Sequence, residues 1–176
     1  MKIKPEIKYG LWGGLLLMGW TLIQFALGFH TDKYWLEQYS AYGTYLIILI
    51  CVWLGLNEKR KDYKGSFSVR RGVKESIYQL IFTAVISSVF MFAYDYKINA
   101  LWVERLIEWQ RANGTPNTVF LRLANDPQAN AVVLSNTETH LCLYFLGIVV
   151  VGASMAFMLS AIIANSYIKP TENTQQ

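Results

Sequence analysis

The chain has 176 residues, 53% of them apolar and 16% charged, with a net charge of +4. That length fits one domain, and the charged share is well under the roughly 25% of a soluble globular protein. The positive charges lie beside apolar runs and not on a polar domain, which argues against a nucleic-acid partner, and Cys51 and Cys142 lack the spacing of a metal or redox motif.

In chain order, a basic tail with Lys2, Lys4 and Lys8 leads into residues 9–29, "YGLWGGLLLMGWTLIQFALGF". About 20 apolar residues suffice to cross the hydrocarbon core as a helix. The basic start and the "ALG" near the end also fit a signal peptide, but the apolar run exceeds a signal core of about 7–15 residues and lacks an A-x-A site. We therefore read it as an uncleaved first span. Gly10 and Gly14 stand four apart on it, a spacing that lets helix backbones approach.

Residues 39–56 form the second expected span, and the chain then turns strongly basic. Residues 57–76 carry Lys59, Arg60, Lys61, Lys64, Arg70, Arg71 and Lys74. They serve as topology signals or as contacts for anionic lipid headgroups, the latter if "SFSVRRGVKESI" lies as a helix in the headgroup layer. Residues 77–96 form the third span, with Asp95 at its edge as the one acid inside any span.

Residues 97–140 are too polar to cross a membrane. "KINALWVERLIEWQRA" has helical periodicity, "NGTPN" breaks it, and the stretch beyond reads as a surface helix broken near Asp126–Pro127 or as a loop. The fourth span is residues 141–165, where Gly152, Ala156, Ser160 and Ala164 repeat every four residues as a second packing stripe.

Orientation follows from Lys and Arg. The amino tail, residues 57–76 and the carboxyl tail hold 11 in 39 residues, whereas residues 30–38 and 97–140 hold 5 in 53. Basic segments stay on the cytoplasmic side. The expectation is an all-α bundle of four transmembrane helices in a bacterial inner membrane, with both termini cytoplasmic and 97–140 periplasmic.

Chemistry is sparse. His30, Asp95, Glu138 and His140 all fall near the ends of spans on the predicted outer side. Two imidazoles and two carboxylates are a weak candidate for zinc or for acid–base work, but Glu138 and His140 are only two apart and diverge on a helix. Ordinary interfacial polar residues are the preferred reading, so no metal, cofactor or catalytic residue is expected. Thr21, Gln24, Ser87, Ser88 and Ser160 are uncharged polar groups inside spans that can bond to neighbouring helices.

Three stretches carry a family resemblance: "KYGLWGGLLL" at the first span, "LGLNEKRKDYKGSFSVRRGVKESI" at the basic loop, and "SAIIANSYIKP" at the close. In these and in layout the chain resembles a family known only as a domain of unknown function, number 4199. The resemblance implies a bacterial inner-membrane protein without an assigned activity. The expected role is a non-catalytic accessory or scaffolding protein that meets lipids and a membrane-protein partner or its own copies. A transporter or channel subunit, and an enzyme acting on a lipid-linked substrate through the His/acid cluster, are the alternatives.

Overall fold

A computed structural model of the chain describes residues 3–63, 67–113 and 137–166. Five α-helices run through them: α1 (Pro5–Ala26), α2 (Tyr34–Asp62), α3 (Val69–Ala93), α4 (Trp102–Asn113) and α5 (Thr137–Asn165). A π-helical turn, Tyr94–Ile98, continues α3, and no strand occurs among the described residues.

Local chemistry sets the ends. Pro5 opens α1, where its missing N–H has no partner to lose. Gly28 closes it at a φ of +86°, with Gly28 N–H donating to Phe25 O and Phe29 N–H to Gln24 O. That double bond around a left-handed residue is the Schellman stop, and glycine accommodates it without a Cβ clash. Thus "ALGF" is a helix terminator. Ser68 caps α3, its Oγ accepting from Arg71 N–H.

The four long helices pack together. α3 lies against α1 and α5, while α2 contacts α1, α5 and, more lightly, α3. Glycines set the closest approaches. A Cβ on Gly10 would come within 2.6 Å of Phe82 Cβ, and one on Gly14 within 2.7 Å of Ile86. Gly152 of α5 faces Leu80, and Gly72 of α3 faces Ser160. Thr83 Oγ1 donates across the α1–α3 seam to Gly10 O at 3.1 Å.

Unlike a water-soluble bundle, this one exposes many large apolar side chains and buries polar ones beside its apolar core of Leu17, Ile48, Val52, Leu56 and Leu80. Leu11, Leu15, Leu22, Ile23, Leu46, Trp53, Val89, Val150, Phe157 and Met158 are exposed, whereas Thr21, Gln24, Ser76, Gln79, Thr83, Ser87 and Ser160 are buried. α3 shows why. Its buried positions Gly72, Ser76, Gln79, Thr83 and Ser87 recur at helical spacing as a polar stripe beside buried Leu80, Ala84 and Met91, while Phe82, Val85 and Val89 face out.

Among the described residues, three helices are long and apolar enough to cross a membrane: Tyr39–Asp62, Val69–Ile98 and Glu138–Asn165. α1, expected as a span, is not among them. Its 22 residues include Gly10, Gly13, Gly14, Gly19, Thr21 and Gln24, which lower its mean hydropathy. The basic segment also differs from a loop. Residues 57–62 continue α2 and 69–76 begin α3, and Phe67 is buried in the core instead of lying flat as part of a surface helix. α4 does not prolong α3: the chain leaves the π-turn at Asn99 and restarts at Trp102. The "NGTPN" break beyond Asn113 and the helix or loop expected after it lie outside the described residues.

Candidate functional site

At the α1–α2 turn, four parts of the chain converge on the π-turn after α3. Asn99 N–H bonds back five residues to Tyr94 O at 2.9 Å, and this wider turn carries both Tyr94 and Asp95. Such single π-turns often occur at functional positions in helices. The His30 Nδ1 lies 2.7 Å from the Tyr94 hydroxyl. Asn99 Nδ2 donates to that same hydroxyl at 3.2 Å and to His30 O at 3.1 Å. A phenol oxygen that accepts from Asn99 can give its own proton to Nδ1, which places the imidazole proton on Nε2.

Asp95 serves a second pair. Its Oδ1 accepts from Trp102 Nε1 at 2.8 Å, and its Oδ2 lies 3.2 Å from His140 Nδ1. The Trp102 ring stacks on His30 at 5.0 Å between centroids and meets His140 at 5.7 Å. Tyr34 donates to His30 O, and its ring lies beside Trp109 of α4. Burial pushes the His30 imidazole down to about 4, against a smaller upward pull from the Asp95 charge. His30 is therefore neutral near pH 7.

The structure thus brings His30, Asp95 and His140 into one cluster, with Trp102 packed against both imidazoles. Glu138 is exposed in the first turn of α5. Among the described residues, no three His, Cys, Asp or Glu side chains are grouped to hold a metal ion. His30 is only 4% exposed, its Nδ1 is engaged by Tyr94, and both Asp95 oxygens are engaged. As arranged, the cluster fastens the α1–α2 turn, the end of α3, α4 and the start of α5 to one another.

The opposite end of the helices is ionic. Lys59 Nζ bridges Glu6 at 3.1 Å and Glu75 at 3.4 Å, while Lys8 and the Tyr9 hydroxyl each reach Glu58 at 2.7 Å. Of the basic residues singled out above, Lys59 is held within this network. Lys61, Arg70, Arg71 and Lys74 are exposed, Arg60 is half-buried, and Lys64 lies outside the described residues. The Arg71 guanidinium sits 5.2 Å over the Tyr63 ring. Gly10 and Gly14 occupy the α1–α3 seam; Gly152, Ala156 and Ser160 are buried along α5, and Ala164 is half-buried.

Tyr94, Asn99 and Trp102 were not singled out from the sequence as candidate site residues. Glu6, Glu58, Glu75, Ser76 and Gln79 were also passed over. The inward spacing of Ser76, Gln79, Thr83 and Ser87 was the signal that could have found the last of these.

A family model described as "Protein of unknown function (DUF4199)" matches residues 8–165. No curated protein and no solved structure matches the chain.

Proposed function

Because the chain belongs to the DUF4199 family, whose description assigns no activity, we propose a function from its own geometry: a multi-pass membrane protein acting as a non-catalytic accessory or scaffold. The observation that carries the membrane part is the exposure of many large apolar side chains along the long helices while polar ones such as Ser76, Gln79, Thr83 and Ser87 are buried. In lipid there is no hydrophobic drive between helices, so small residues and hydrogen bonds hold them. α1 is the fourth span in this reading. Its low mean hydropathy comes from its inward glycines, Thr21 and Gln24, while Leu11, Leu15, Leu16, Leu22 and Ile23 face out. The Lys and Arg balance supports cytoplasmic termini in a bacterial inner membrane, with exposed Lys61, Arg70, Arg71 and Lys74 beside anionic headgroups.

The non-catalytic part is supported by the His30–Tyr94–Asp95–His140 cluster, in which His30 Nδ1, the Tyr94 hydroxyl, both Asp95 oxygens and His140 Nδ1 are engaged with one another or with Asn99 and Trp102. A fastened cluster fixes the start of α4 and leaves Leu101, Glu104 and Arg105 exposed, a surface for a membrane-protein partner on the periplasmic side. Gentle purification at native expression, with mass spectrometry of proteins and lipids, tests this. The expected result is a stoichiometric membrane-protein partner that is lost from a folded Leu101→Glu variant. Recovery of the chain alone or only with its own copies rejects the accessory reading. Buried Thr21, Gln24, Thr83 and Ser87 favour a transporter or channel subunit as the second reading, which predicts solute flux in proteoliposomes. The enzyme reading predicts lost activity, with fold intact, on His30→Ala or His140→Ala.

A further inference from the structure

Beneath the Glu6–Lys59–Glu75 ion pairs lies a small cavity bordered by Leu56, Ser76 and Gln79. Ser76 is 1% exposed and Gln79 is 3% exposed. Neither Ser76 Oγ nor Gln79 Nε2 has a hydrogen-bond partner in the protein. A buried polar group left unpaired costs about 1–3 kcal/mol, and two beside one cavity call for a common partner. We propose that this cavity is a binding site for one internal water molecule, which joins the buried amide of Gln79 and the hydroxyl of Ser76 to the carboxylates at the mouth.

Size and charge select the ligand. The centre of a water has about 10 Å³ in which to sit, close to the roughly 10–15 Å³ that one water needs. An anion would face Glu6 and Glu75, and the cation those carboxylates call for is already there as the Lys59 ammonium. The remaining requirement is a neutral molecule that both donates and accepts. Water donates to a carboxylate and accepts from the Gln79 amide and the Ser76 hydroxyl. Gly55 helps to aim the amide. Gln79 Oε1 lies where a Cβ on Gly55 would be, so that end of the side chain is held against the α2 backbone. The water then connects residues from α1, α2 and α3, and this is the depth to which hydration reaches from the charged end.

X-ray radiolytic labelling of the full chain in lipid nanodiscs tests the site. Hydroxyl radicals formed from a bound water oxidise the side chain beside it, even one shielded from bulk solvent. Leu56 lines the cavity, whereas Leu17 and Leu80 do not, and all three are 1% exposed. The expected result is oxidation of Leu56 several-fold faster than of Leu17 and Leu80, falling to their rate in Gln79→Met. An equal, slow rate at all three in the wild type overturns the proposal. So does a fast Leu56 rate that Gln79→Met leaves unchanged, since that is leakage from bulk water. If Gln79→Met does not fold, Ser76→Ala takes its place with the same two readings.

Discussion

His30 combines burial with a titratable ring, and that makes one residue visible in a pH profile. Its imidazole is held near 4 against an ordinary 6.5, chiefly by burial. Above about pH 6.5 the ring is neutral in both folded and unfolded chains, and its full contribution to stability is present. Between 6.5 and 4 the unfolded ring takes a proton that the folded ring refuses, so stability falls as pH falls and levels off below the folded value. The shift corresponds to about 3 kcal/mol in total. Wild type should lose about that much more than His30→Gln between pH 7 and 4, measured by denaturant unfolding in detergent. Parallel profiles for the two proteins would mean that the ring is hydrated.

Helix seams respond to a single methyl according to what that methyl meets. A Cβ on Gly13 would lie 2.7 Å from Thr83 Oγ1, whose hydroxyl bonds to Gly10 O, whereas one on Gly19 meets nothing within 4 Å. Gly13→Ala should destabilise by about 1–3 kcal/mol through overpacking, and Gly19→Ala should be neutral or stabilise by up to about 1 kcal/mol. Thermal unfolding of the pair checks the register of α1 on α3, and equal effects would reject it. The spacing of Gly10/Gly14 and of Gly152/Ala156/Ser160/Ala164 was legible because helical spacing is local information. The π-turn at Tyr94–Ile98 was not, since no periodicity in "YDYKI" marks an extra residue in the turn. The His30–Tyr94 bond spans 64 positions in sequence and exists only through packing. Residues 57–62 show the reverse error: charge read as loop is a helix end, because Lys59 finds Glu6 and Glu75 there.

For the whole molecule, orientation is the first matter to test. A reporter active only in the periplasm should work when fused at residue 115 and stay silent at residue 62, and the opposite pattern would invert the proposed topology. The count of spans is a separate matter. On α1, Gly10, Gly13, Gly14, Thr21 and Gln24 line the inward side beside Leu17, so composition understates what its outward leucines offer to lipid. Accessibility labelling of single cysteines placed at Leu11 and Leu22 checks it. Both should resist a water-soluble reagent in intact membranes, and ready reaction at either would leave α1 outside the bilayer.

The inward polar stripe has a thermal consequence. Soluble proteins gain about 12–15 cal/mol/K of heat capacity per residue on unfolding, because apolar surface meets water. Here Leu11, Leu46, Val89 and Phe157 already face outward, and separating the helices uncovers Ser76, Gln79, Thr83 and Ser87 together with a small apolar core that includes Leu17, Val52, Leu56 and Leu80. Scanning calorimetry in detergent should therefore give a heat-capacity step well below the soluble range. A smaller step flattens the stability curve and moves cold denaturation to lower temperature.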